Sequence, residues 1–276
     1  MLPFSAPQKR GASFLICLGT TLGWAACGPA LDPGADARYL LDETKRLELE
    51  VAYEPGAEPY GGTYQGLKTW DITRENLTAI YDTRSRSVEV YVPDSTSLMS
   101  ELPPQDRAVW SANDLRTIEG QYRRNKSDGT TGRVFVVFVN GYFLDETIGK
   151  PATNVMAVSI PDTTVIVVFK QVIQSASASH SGLALRWLEQ STLVHELGHV
   201  VGLVDHGVPK QSPLHREFTS EASAAETHGA HCGNPDCVMY WAHEGLASLY
   251  NMTDRASTSG SYTLFGAECL DDLRSF

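Results

Sequence analysis

Basic residues are scarce in this chain. Of its 276 residues only 22 are Lys or Arg, against 33 Asp or Glu, for a formal charge of −11. No cluster of Lys and Arg interrupts that excess, so a phosphate backbone is repelled and nucleic acid is not an expected partner. Cysteine is sparse too, and five are too few for a disulfide scaffold. Beyond the N-terminal segment the sequence has no internal repeat and no apolar run long enough to cross a membrane. What is present is 42% hydrophobic and 20% charged, the composition of a globular chain with a real core. Its length suits one domain of enzyme size with an extension.

The N-terminal segment reads as an address. Lys9 and Arg10 precede a mostly apolar, uncharged stretch over 11–26, which is the layout of an export signal. Ala25-Ala26-Cys27 resembles a bacterial lipobox, in which the cysteine is lipidated and becomes the mature N-terminus. That resemblance implies a signal peptide over 1–26 and a lipid anchor at Cys27, placing the protein at the cell envelope. A plain secretory signal or an uncleaved anchor is the alternative. Residues 27–44, containing Gly, Pro, Asp and Ala, read as a tether, and 45–276 as one folded domain.

Within that domain, Arg46–Tyr53 alternates polar and apolar residues with the period of a half-buried strand. Ser87–Val92 is a second strand, and Arg133–Asn140 a third, more buried one. Val155–Ile160 and Thr163–Phe169 are expected to form a hairpin around Pro161-Asp162. Apolar residues recur at helical intervals over 62–81 and 112–124, and Ser111 with Asp114 offers a capping box to the second of these. A serine-rich loop over 175–182 precedes a long buried helix marked by Leu183, Leu185, Leu188, Leu193, Leu197, Val200 and Leu203. The expected class is α+β, with a mixed twisted sheet of about five strands and a long active-site helix.

That helix carries His195-Glu-Leu-Gly-His199, followed by Gly202. Two histidines four apart lie on one helical face, so both imidazoles can reach one Zn²⁺. Glu196 stands beside the first ligand, placed to take a proton from an attacking water. Gly202 permits a sharp backbone exit that brings a later ligand back to the metal. The bland alternative is a pair of satisfied histidines on a core helix. The glutamate and the glycine at their motif positions weigh against it.

The run His195–Gly202 resembles the opening of the metzincin zinc-protease signature. In that family a third ligand falls three residues after the glycine, and a downstream methionine turn floors the site; Met239 in Cys237-Val-Met239-Tyr is the candidate for that turn. Three residues after Gly202 stands Asp205, with His206 next to it. An aspartate there is similar to the small metzincins called snapalysins. A different register comes from His231-Cys232-Gly-Asn-Pro-Asp-Cys237-Val-Met239, which resembles the archaemetzincin pattern of a histidine, a cysteine, four residues, a second cysteine and the methionine. On that register 205–230 is an inserted loop and His231 is the third ligand. His231 is favoured, with Asp205 and then His206 as alternatives.

The resemblance implies an exported zinc endopeptidase, a monomer with one catalytic Zn²⁺ on His195, His199 and His231 and Glu196 as general base. N-terminal and C-terminal subdomains would meet near 204–205. Its substrate would be a protein or peptide, and its membrane contact a lipid anchor. A non-catalytic zinc-stabilised surface module and an amide hydrolase for non-peptide substrates are the competing functions. Cys232 and Cys237 flank a tight segment and are expected to form a small disulfide. Archaemetzincins instead join such cysteines to a later Cys-x-x-Cys around a structural zinc. Here that element reads Gly266-Ala-Glu-Cys269, one thiolate short, so three thiolates holding zinc with an outside ligand are the alternative to the disulfide. Asp271-Asp272 reads as a solvated helix face, His180 and His243 as solvated or locally bonded, and the sequons at Asn76 and Asn251 as uninformative.

Overall fold

The apolar runs do become strands, in an order that leaves one of them at the edge beside the histidine motif. The computed structural model describes residues 32–175, 181–212, 215, 231–240 and 262–276. Its strands are β1 (Arg46–Tyr53), β2 (Thr63–Tyr64), β3 (Leu67–Lys68), β4 (Glu89–Tyr91), β5 (Ser100–Glu101), β6 (Val109–Trp110), β7 (Thr131–Val139), β8 (Tyr142–Asp145), β9 (Lys150–Ala152), β10 (Ala157–Ser159) and β11 (Val165–Phe169). Its α-helices are α1 (Asp71–Asp82), α2 (Ala112–Tyr122), α3 (Lys170–Ser175), α4 (Gly182–Val200) and α5 (Ala267–Ser275). The protein is α+β, with a mixed main sheet ordered β10-β11-β7-β1-β4 and short β5 also paired to β1.

β7 is the central strand, parallel to β1 on one side and to β11 on the other. Its residues 134–139 are all buried, which is why they read as one continuous apolar run rather than an alternating one. β10 and β11 form the expected hairpin, pairing Ala157 with Val168, and Asp162 turns the corner at φ +60°. β10 therefore ends the sheet, antiparallel to its neighbour. α4 packs on β10, β11, α1 and α3, and 187–198 are buried all along it. Ser111 and Asp114 form the capping box at the start of α2.

Three expectations are corrected. The helix read over 62–81 starts only at Asp71, because Gln65 and Gly66 both take positive φ and turn β2 into β3 as a two-residue hairpin. The tether does not extend to residue 44. Leu40 and Leu41 are fully buried, each worth about 1.5–3 kcal/mol. Asp32 is buried too, accepting from Gly34 N at 2.9 Å and Ser127 N at 3.2 Å and paired with Arg123. Asp272 is not solvated but 2% exposed, for reasons that belong to the metal centre. The signal, Cys27, His180, His243, Asn251 and most of 205–230 lie outside the described residues, as does part of the expected C-terminal subdomain. Among the described residues no helix is long and apolar enough to cross a membrane.

One buried ion pair fastens α4 in the middle. Lys170 and Glu189 are 1% and 0% exposed and face each other, while Glu189 also accepts from Tyr60 N at 2.7 Å. Burial pushes the Glu189 carboxyl up and the Lys170 ammonium down, and each partner offsets that cost for the other.

Candidate metal centre

Helix α4 delivers His195, Glu196 and His199 at its last turns. Its N-terminus is capped by Ser181, whose hydroxyl accepts from Ala184 N at 3.2 Å. After Val200 the chain leaves abruptly. Gly202 sits at φ +96°, and a Cβ there would lie 2.6 Å from the Ala37 Cβ, so both the turn and the close approach require glycine. Val204 and Asp205 follow at φ +53° and +69°, closing a tight loop through Val208 N to Gly202 O at 2.8 Å.

His195, His199 and His231 come together with their ligand nitrogens within 4.8 Å of one another. His195 Nδ1 lies 2.7 Å from the Val238 carbonyl oxygen. A carbonyl only accepts, so Nδ1 carries the proton and Nε2 of the neutral ring presents a lone pair. That Nε2 is 3.2 Å from His199 Nε2. Two imidazole nitrogens held about that far apart match neighbouring corners of a tetrahedron around Zn²⁺, where Zn–N is roughly 2.0–2.1 Å. Burial first, and then His195, His231 and His206, hold His199 well below its ordinary pKa, so it too is a neutral donor. The donor set fits a zinc ion.

Neither of the other two candidates for third ligand belongs to this group of donor atoms. The Asp205 side chain is half exposed and accepts from Lys210 N at 2.9 Å. Lys210 Nζ in turn bonds Asp205 at 3.3 Å and donates to the His231 carbonyl at 3.3 Å. His206 is exposed at the rim, its ring 4.8 Å from that of His199.

Met239 is fully buried under the motif. A Cβ at Gly198 would come within 2.3 Å of the Met239 sulfur, so the fourth residue of the motif is held to glycine by the floor beneath it. A cavity of about 300 Å³ opens beside the histidines, lined by Glu196 and by apolar groups from Phe143, Val155, Met156 and Val158. Glu196 is 8% exposed at its wall.

A second group lies nearby. Cys232, Cys237, Glu268 and Cys269 are all buried, with their donor atoms within 4.8 Å of one another. The expected Cys232–Cys237 disulfide is absent, and all three cysteines are free thiols. The 232–239 loop is closed instead by its backbone, Cys232 N to Met239 O at 2.7 Å, which turns both sulfurs toward α5. There Cys269 Sγ is 3.6 Å from Cys237 Sγ, and Cys232 Sγ is 3.1 Å from Glu268 Oε1.

Cys237 Sγ accepts from Gly266 N at 3.1 Å and Cys232 Sγ from Asn234 N at 3.4 Å. Burial opposes ionisation of Cys237. Hydrogen bonds from Cys232, Cys269 and the backbone nevertheless hold it well below the ordinary thiol range. Its sharing of protons with Cys232 and Cys269 pushes those two up, and burial pushes the Glu268 carboxyl up. A divalent cation among these four buried groups would favour the ionised form of each of them. The single catalytic Zn²⁺ expected from the sequence accounts for only one of these two groups, and both could hold a metal ion.

The sequence did not single out Glu268, His215 or Asp272. Glu268 brings a carboxylate into the group with the three thiols, and its position next to Cys269 is the available signal. Gly266 makes room for its carboxylate, which a Cβ there would meet at 2.1 Å. Asp272 is buried because Oδ1 accepts from Gln211 N and Ser212 N at 2.9 and 2.6 Å. Its Oδ2 lies 2.6 Å from His215 Nε2, whose Nδ1 is 3.7 Å from Cys232 Sγ.

No protein-family model, curated protein or solved structure matches this chain.

Proposed function

We propose that this protein is an exported zinc-dependent endopeptidase with a metzincin-like catalytic domain. The observation that carries this reading is a three-imidazole group that faces a cavity, with Glu196 in the wall beside it. His195, His199 and His231 would hold the ion, leaving one position for water or substrate. Zinc held there supplies Lewis acidity, lowering the pKa of a water and polarising a scissile carbonyl.

Glu196 accepts the proton of the attacking water and returns it to the leaving amine. The Val238 carbonyl keeps His195 in the donor tautomer, and Lys210 steadies the His231 backbone. Met239 supports the motif from below and takes no part in the reaction. Among the described residues β10 pairs only with β11, and its other edge runs along the cavity, where an extended peptide can pair by backbone hydrogen bonds. The apolar wall formed by Phe143, Met156 and Val158 suits an apolar side chain of such a peptide.

A zinc-stabilised module without activity would account for the closed thiol group but not for the open histidine group. Export, and a lipid anchor at Cys27, are part of the same proposal and rest on the N-terminal sequence. Glu196→Gln tests the chemistry. It is expected to keep its full metal content and lose about 10²–10⁴-fold in chelator-sensitive cleavage of a mixed peptide substrate. Undiminished cleavage would reject the mechanism.

A further inference from the structure

The two donor groups hang from one short stretch of chain. His231 and Cys232 are consecutive, so the third imidazole and the first thiol leave adjacent residues. The same stretch returns to the histidines at its other end, where the Val238 carbonyl bonds His195 Nδ1 at 2.7 Å and Met239 lies against Gly198. Between those points Cys237 reaches the thiol group, and Val238 N donates to Leu264 O at 2.8 Å. Residues 231–240 form bends, turns and an isolated bridge rather than a helix or strand ladder. Their position is therefore set by what they are tied to.

We propose that a thiophilic divalent cation in the Cys232/Cys237/Glu268/Cys269 group sets the affinity of the His195/His199/His231 group for its own metal. Bound there, the cation closes three sulfurs and a carboxylate on one centre and so fixes Cys232 and Cys237. Fixing Cys232 places His231, and fixing Cys237 places the Val238 carbonyl that orients His195. With the thiol group empty, the stretch loses two of its anchors. The histidine group must then order that stretch itself, and pays for it in affinity. The coupling is reciprocal: metal on the histidines raises the affinity of the thiols by the same factor. The inference rests on the reading that the histidines hold a metal, and it does not depend on peptide cleavage.

The test uses the full chain stripped of metal. One equivalent of Cd²⁺, which prefers thiolates, is added and its occupancy followed by the sulfur-to-cadmium charge-transfer absorbance. Co²⁺ is then titrated into the histidines and read by its visible d–d spectrum. Cadmium-loaded wild type is expected to bind cobalt at least about fivefold more tightly than Cys269→Ser, and the variant should not respond to cadmium. Equal cobalt affinities, or no cobalt binding with cadmium in place, would overturn the proposal.

His199→Ala reads the coupling from the other side, since it removes a histidine ligand that lies outside the 231–240 stretch. Its thiols should bind Cd²⁺ more weakly than those of cobalt-saturated wild type, by the same factor. Equal cadmium affinities would overturn the proposal even if Cys269→Ser fails to fold. Neither readout uses activity, so a failure of the peptidase reading in Glu196→Gln is distinguishable from a failure here.

Discussion

The histidine group and the thiol group are neighbours built from the same loop, yet they are organised for opposite ends. The thiol group offers four protein donors, all buried, with backbone N–H groups on two of its sulfurs. The histidine group offers three, and a cavity lined by Glu196 lies where a fourth would be. A closed set of four holds an ion as structure, whereas an open set of three leaves a position for chemistry. On the proposed function, that contrast makes the histidine group the active site and the thiol group the structural one. In the exported chain we propose, a bound cation would also mask sulfurs that an oxidising compartment otherwise pairs.

Removing one donor from each group gives the largest contrast. His231→Ala should weaken metal binding at the histidines by about 100-fold or more and abolish cleavage, with metal at the thiols still measurable. Asp205→Ala, at the position where the metzincin register first places a ligand, should keep both metals, because its carboxylate faces Lys210. Metal analysis of the two variants checks this, and retained histidine-site metal in His231→Ala would break the comparison.

Cys269→Ser should act mainly on stability instead. A loss of roughly 4 kcal/mol in denaturant unfolding of the zinc-loaded chain is expected, larger than that of His199→Ala. Equal losses would mean that the thiol group is not the structural one.

The smallest effect is one of pH. His199 is held well below its ordinary value of 6.5 and His206 is also lowered, both chiefly by burial. Below pH 6.5 the unfolded chain takes up protons that these folded histidines refuse, so acid favours unfolding. Their contribution is constant above that value and falls as the pH drops toward the folded pKa. The metal-free chain should therefore lose stability between about pH 7 and pH 5 in denaturant titrations, and less so as His199→Gln.

Much of this is legible in the sequence. β7 and the β10–β11 hairpin follow from apolar runs and turn residues, and the capping box at Ser111 from four residues. Spacing, and the resemblance in the register of Cys232, Cys237 and Met239, point to His195, His199 and His231, whose donor atoms lie within 4.8 Å of one another. What was not legible depended on packing between distant segments. The Cys232–Cys237 disulfide was inferred from local spacing, but the sulfurs turn toward a helix more than 25 residues later in the chain. Asp272 looked solvated because polarity alone cannot reveal that Gln211, Ser212 and His215 fold over it. Leu40 and Leu41 were hidden among tether-like residues, though two adjacent leucines rarely hang free.

The contrast between an open and a closed group is tested most directly by zinc-edge X-ray absorption on Cys269→Ser carrying metal only at the histidines. The expected shell is three imidazole nitrogens and one light atom from solvent. A sulfur in that shell, or a fourth imidazole such as His206, would contradict the assignment of this group as the active site.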